Sequence, residues 1–185
     1  MHSLDAFGRV LLTLSVVLTL VLGAVGSNAR EHQNDSLGQV DFPVSCSAAA
    51  QQQFNRAMAL LHHMTYPQAR ERFEQIVAME PDCAMARWGV AMTLFQPLWP
   101  TRPSPAALRR GWDEVQKAKT KPSLSERERL FIASAEAFYL DPDATDYWLR
   151  IRRWKAAMEQ LYAAFTRDPE AAERDRPRAG GRLSP

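Results

Sequence analysis

Cys46 and Cys83 carry thiols and the adjacent pair His62 and His63 carry imidazoles, and both types of side chain bind metal ions. A zinc site needs three or four such ligands close together. Cys46 precedes a predicted helix and both histidines lie near its far end, more than about 20 Å away at a rise of about 1.5 Å per residue. A joint Cys/His site is therefore excluded in this arrangement. We expect no metal, no cofactor and no catalytic residue, and a metal-binding or enzymatic role for His62 or His63 is the weaker alternative.

The two cysteines are instead predicted to form a disulfide. Cys46 lies just before one helix and Cys83 just after the next, and these two ends meet in an antiparallel pair. A closed loop of about 37 residues would stabilise the fold by roughly 3 to 4 kcal/mol in the chain-entropy model. The alternative is two buried free thiols. A redox-active pair is less expected, because the spacing is far from C-x-x-C.

The sequence shows no other motif of catalysis and no basic patch for nucleic-acid binding. It contains no G-x-S-x-G, no H-E-x-x-H and no phosphate-binding glycine loop. Its carboxylates, among them Glu71, Glu74, Glu126 and Glu128, alternate with arginines on predicted helix faces, which is typical of solvated surface. The net charge is +2 over 185 residues, and the basic residues are spread along the chain. We therefore expect no nucleic-acid partner.

The N-terminus has the pattern of an export signal. Arg9 precedes an apolar run from Val10 to about Gly26, and Ala24 and Gly26 are small residues suited to cleavage before Ser27. The alternative is an uncleaved anchor, which would make residues 10–26 the only membrane contact. The prediction is an exported protein, periplasmic or extracellular, and an oxidising compartment would suit the disulfide.

Apolar periodicity and start signals predict helices through the rest of the chain. Ser45 or Ser47 can cap the first helix, and Pro67 suits the first turn of the second. Pro81 ends the second helix. Further on, Ser104 is an N-cap before a proline, and Ser125 forms a capping box with Glu128. The last helix is strongly amphipathic, with Trp148, Ile151, Trp154, Met158, Leu161, Tyr162 and Phe165 on its apolar face.

Within the first helix pair the residue types follow the 34-residue spacing of the tetratricopeptide repeat (TPR). Ala57 and Ala69 are the small residues that let two helices approach, and a step of 34 residues takes Ala57 to Ala91 and Leu60 to Leu94. Gln53 and Arg56 depart from the pattern, so a generic helical hairpin is the alternative. The predicted repeat-packing residues are Ala57, Leu60, Tyr66, Ala69, Phe73, Ile76, Pro81, Trp88, Ala91 and Leu94.

The repeat pattern breaks at residues 96–105, which contain four prolines and Trp99. Trp99 is the predicted partner contact, since flanking prolines would hold its ring in place, although it could also fold back on the helix ends. The chain becomes Arg-rich after Asp168-Pro169, where another apolar helix would be expected. We interpret this as truncation of a longer repeat protein, with a natural polar tail as the alternative. Truncation would leave the last helix uncovered and able to self-associate.

Residues 40–170 resemble a family of exported bacterial TPR proteins of largely unassigned function. The residues that carry the resemblance are Cys46, Gln53, Phe54, Leu61, His62, Tyr66, Ala69, Phe73, Pro81, Cys83, Ala86, Trp88, Gly89 and Met92. Members of this family look longer, with more repeats after the point where this chain ends. The resemblance implies a protein-interaction scaffold and assigns no catalytic residue.

The sequence thus predicts an all-α fold, in which about six helices form TPR-like antiparallel hairpins and a short right-handed solenoid. The predicted function is a non-catalytic scaffold that binds a protein or peptide of unknown identity, and the alternative is a fragment without independent function. The predicted order is a signal peptide or anchor (1–26), a polar linker (27–44), a TPR-like unit with the first helix of a second (45–95), a Pro/Trp-rich loop (96–105), further helices (106–165) and a disordered tail (166–185).

Overall fold

The computed structural model describes residues 37–96, 101–122 and 124–166. The chain divides into two units, residues 1–38 and 39–185, and only Leu37 and Gly38 of the first unit are described. The predicted signal peptide, Trp99 and the predicted tail beyond residue 166 lie outside the described residues. The described helices all belong to the second unit.

The described residues form six α-helices and no strand, so the all-α class and the number of helices are confirmed. The helices, numbered in chain order, are α1 Ala48–His62, α2 Tyr66–Met79, α3 Ala84–Phe95, α4 Pro105–Lys119, α5 Glu126–Tyr139 and α6 Tyr147–Thr166.

Serine caps fix where three of these helices begin. The side chains of Ser47, Ser104 and Ser125 accept hydrogen bonds from backbone N–H groups in the first turns of α1, α4 and α5. Ser125 and Glu128 form the predicted capping box. Because the first N–H groups of a helix have no partner within it, each cap removes an unsatisfied donor.

The helices pack as successive hairpins. Each helix packs against the next along the chain, and α1 also contacts α3, which in turn contacts α5. One face of the molecule is therefore built from the odd-numbered helices, and we call it the odd-helix face. The small and aromatic residues predicted to pack between the helices are almost all buried: Ala57, Tyr66, Ala69, Phe73, Ile76, Trp88, Ala91 and Leu94. Leu60 is partly buried, and Pro81 is exposed in the turn where α2 ends.

Two glycines let neighbouring helices approach closely. A Cβ atom on Gly89 in α3 would lie 2.4 Å from the ring of Phe73 in α2, and one on Gly111 in α4 would lie 2.1 Å from the ring of Tyr139 in α5. The hydroxyl of Tyr139 donates to the carbonyl oxygen of Ala91 at 2.6 Å, so this side chain joins α3, α4 and α5. Burial raises the pKa of Tyr139 well above its ordinary value of 10.0.

The apolar face predicted for α6 needs a correction. Trp148 is 56% exposed and Tyr162 is 69% exposed, whereas Arg150 is 1% exposed. Arg150 donates to the carbonyl oxygens of Phe138, Leu140, Asp141 and Thr145, the end of α5 and the turn that follows. Because four carbonyl oxygens accept from its guanidinium, Arg150 can occupy a buried position, where an apolar residue would be expected. Among the described residues, no helix is long and apolar enough to cross a bilayer.

Candidate binding groove

Residues 40–45 lie across the helices rather than forming a free linker, and we call them the strap. Val40, Phe42 and Val44 pack against the core, while Asp41 between them is exposed. Contact at every second residue is typical of an extended chain. The last residues of the predicted linker at 27–44 therefore belong to the fold. Their apolar side chains alternate, so one side of the extended segment packs against the helices.

Side chains on α1 bind the backbone of the strap. Gln51 donates to the carbonyl oxygen of Phe42 at 2.8 Å and accepts from the N–H of Val44 at 2.8 Å. Asn55, one turn further along α1, accepts from the N–H of Phe42 at 3.3 Å and from the Gln51 amide at 2.8 Å. Together the two amides satisfy three backbone groups of the strap.

Side chains on α5 bind the next backbone groups. Arg127 donates to the carbonyl oxygen of Pro43 at 2.9 Å, and Glu128 accepts from the N–H of Ser45 at 2.6 Å. Glu128 is 2% exposed, so its assignment to solvated surface was wrong. Its carboxylate has enough acceptor sites to bind the strap and complete the cap of α5 at the same time. Backbone groups from residue 42 to residue 45 are thus held from both α1 and α5.

The ring of Phe42 lies in an aromatic cluster on the odd-helix face. Its centroid is 5.6 Å from that of Phe54, 5.9 Å from Trp88 and 5.1 Å from Phe131. The Arg127 guanidinium lies 4.1 Å from the centre of the Phe42 ring. Aromatic and cation–π contacts of this kind add to the area that the ring buries.

A groove of about 430 Å³ remains open beside Phe42. We call it the apolar groove, and its volume lies in the range of ligand-binding clefts. No Lys, Arg, Asp or Glu is among the residues that line it. Its lining consists of Phe42, Met58, Leu61, His62, Tyr66, Trp88, Met92 and Phe131.

Trp88 forms part of this wall and is itself almost fully buried. Its indole Nε1 is enclosed and makes no hydrogen bond in the described structure, and the same holds for Trp154. Trp154 lies elsewhere, where its ring meets Phe95 with centroids 5.0 Å apart. Trp88 therefore contributes its ring to the groove wall and carries an enclosed donor that lacks a partner in the described structure.

The structure does not bring the histidines into a metal site. His62 and His63 are both exposed at the end of α1, and only His62 lines the apolar groove. Within the described residues, no cluster of three His, Cys, Asp or Glu side chains could hold a metal ion.

The two cysteines are bonded, with an S–S distance of 2.11 Å and Cα atoms 5.3 Å apart. Cys46 directly follows the strap, and Cys83 is the N-cap residue of α3. The bond therefore ties the end of the strap to the turn between α2 and α3. The strap is thus held covalently just after its last residue and by backbone hydrogen bonds from residue 45 back to residue 42.

Sequence reasoning missed most of the residues that build this site, namely Phe42, Gln51, Asn55, Arg127, Glu128 and Phe131. Two signals were available: the alternation of Val40, Phe42 and Val44, and the spacing of Gln51 and Asn55 by one helical turn. The predicted partner contact, Trp99, lies outside the described residues. No protein-family model, no curated protein and no solved structure matches this chain.

Proposed function

We propose that this protein is a non-catalytic interaction scaffold with a TPR-like arrangement of helix hairpins, and that its odd-helix face binds an extended segment of a partner protein. One observation carries the proposal: this face already holds an extended segment, the strap, through hydrogen bonds from α1 and α5 to its backbone. The apolar groove is open beside the strap, and pockets beside an extended segment supply specificity.

The TPR-like arrangement is supported by the stacking of the hairpins and by the positions of the small residues. Ala57 and Ala91, 34 residues apart, are both fully buried on consecutive odd-numbered helices. Gly89 provides a further close contact between α2 and α3. Hairpins that stack in this way form an extended face suited to binding other chains.

Export is part of the same proposal, supported by the apolar run of residues 10–26 and by the disulfide. Disulfides persist in oxidising compartments. The intact mass of the protein recovered from expressing cells tests this part. A mass lacking residues 1–26, with two further hydrogens gained on reduction, is the expected result. A full-length mass would favour the anchored alternative.

Peptide selection tests the binding face directly. The full chain would be immobilised through its C-terminus and used to select from a displayed library of random 12-residue peptides. We expect a family of related sequences whose binding is lost in Met92→Glu, because this change places a charge in the apolar groove. Met79→Glu is the matched control, since Met79 is 63% exposed at the end of α2.

Selected peptides that bind the two variants and the wild-type chain equally would contradict the proposal, because their site would lie elsewhere. Failure to select any related family would contradict it as well. Circular dichroism and thermal unfolding of both variants would show that a lost interaction does not come from a lost fold.

A further inference from the structure

We infer that the apolar groove is the specificity pocket for one uncharged aromatic side chain of the partner segment. This inference rests on the proposed function, and it names the chemistry that the partner presents. The groove shares Phe42, Trp88 and Phe131 with the cluster that holds the strap. A ring bound there would extend an aromatic contact surface that the chain already uses for its own Phe42.

The lining of the groove determines which group it accepts. Four aromatic residues and two methionines form most of the wall, and thioethers and ring edges make favourable contacts with a bound ring. A charged side chain would lose part of its hydration against this apolar wall. The loss would not be compensated, because none of the lining residues has an opposite fixed charge. The Arg127 guanidinium lies over the Phe42 ring and donates to the carbonyl oxygen of Pro43.

The strap determines where the partner segment runs. Gln51, Asn55, Arg127 and Glu128 are engaged with residues 42–45, so the partner does not need to displace the strap to reach the groove. Phe42 belongs to the strap and also lines the groove. The inferred occupant is an extended segment beside the strap that places one aromatic residue against Phe42, Trp88 and Met92.

The first experiment measures the chemistry of the groove without a partner. Prodan, a neutral naphthalene ketone whose emission shifts to shorter wavelength in apolar sites, would be titrated into the full disulfide-bonded chain. An anionic naphthalenesulfonate of similar ring size would be titrated in parallel. We expect saturable prodan binding that is at least tenfold tighter than binding of the anion.

Two substitutions locate the bound probe. Met92→Glu is expected to weaken prodan binding tenfold or more, and Met92→Trp is expected to do the same by filling the groove without adding charge. Met79→Glu is expected to leave binding unchanged. Prodan binding that is equal in all four chains, or binding of the anion as tight as that of prodan, would overturn the inference.

The second experiment uses the peptides selected on the full chain, each scanned with alanine. We expect one aromatic position to dominate, with a loss of tenfold or more on substitution by Ala or Asp and a small loss on exchange of Phe and Tyr. Groove-dependent peptides without such a position would overturn this inference and leave the proposed function intact. Groove-dependent prodan binding with no selected peptide family would overturn the proposed function while supporting the chemistry inferred for the groove.

Discussion

The two ends of the described fold are held in different ways. In the first hairpin, α1 and α2, the strap binds along α1, the Cys46–Cys83 bond joins the residues before α1 and after α2, and the rings of Phe42, Phe54 and Phe73 pack in series. The last helix, α6, packs along α5 and reaches α3 through Trp154 against Phe95. Its other side exposes Trp148, Leu149 and Tyr162.

This difference shows that the chain stabilises its first hairpin by cross-links, whereas its last helix relies on packing and on one buried cation. The strap brings backbone groups that α1 and α5 bind, whereas α6 is anchored by Arg150 on the carbonyl oxygens at the end of α5. The following four predictions test the comparison, from the largest expected effect to the smallest.

Removal of the disulfide should have the largest effect on stability. In the double variant Cys46→Ser/Cys83→Ser, the unfolded chain is no longer closed into a loop between residues 37 positions apart, so its conformational entropy rises. We expect a loss of about 3 to 4 kcal/mol in the free energy of unfolding. Urea unfolding of both chains measures it. An unchanged midpoint would mean that the first hairpin does not depend on its cross-link.

Arg150→Met should destabilise the other end by about 2 to 4 kcal/mol, because it leaves carbonyl oxygens at the end of α5 without their donor. Arg152→Met, at an exposed position of the same helix, is the matched control and should change the free energy of unfolding by less than about 0.5 kcal/mol. Equal effects of the two changes would show that Arg150 does not hold α6 in place.

Tyr139→Phe should cost about 1 kcal/mol, the value of the hydrogen bond to Ala91. The raised pKa of Tyr139 keeps its hydroxyl protonated in the folded chain, while the unfolded chain loses this proton near pH 10. Its contribution is therefore complete below about pH 10 and falls as the pH rises further. Denaturant titrations between pH 8 and about 11 should show a steeper loss for wild type than for Tyr139→Phe.

Trp148→Ser should have the smallest effect on folding, below about 0.5 kcal/mol, because the ring is more than half exposed. The same change should reduce concentration-dependent self-association if the exposed side of α6 forms that contact. Sedimentation velocity at several protein concentrations measures it. Association that is identical in both chains would exclude this side of α6 as the self-association surface.

The positions of the helices could be predicted because their signals are local. Ser47, Ser104 and Ser125 cap helices within three residues of themselves, and the small residues at 34-residue spacing, Ala57 and Ala91, are buried. The strap could not be placed from local signals, since its bonds to Arg127 and Glu128 join residues 84 and 83 positions apart. Nothing in the pattern of residues 40–45 shows which helices they contact.

Three residues of the last two helices were misassigned for a related reason. Hydrophobic periodicity assigns Trp148 and Tyr162 to the buried side of α6, and charge patterning assigns Glu128 to the surface of α5, because both rank side chains by polarity alone. The structure buries Glu128 and Arg150 because backbone groups supply their partners, and such partners come from the fold rather than from neighbouring residues.

The central claim is that the odd-helix face holds an extended chain by its backbone, and amide hydrogen exchange tests this most directly. The N–H groups of Phe42, Val44 and Ser45 donate to Asn55, Gln51 and Glu128, so the account predicts slow exchange at all three. Glu128→Gln should speed exchange at Ser45 more than at Phe42. Exchange of these amides at the rate of an unstructured peptide would show that the strap is not bound, and would contradict the account.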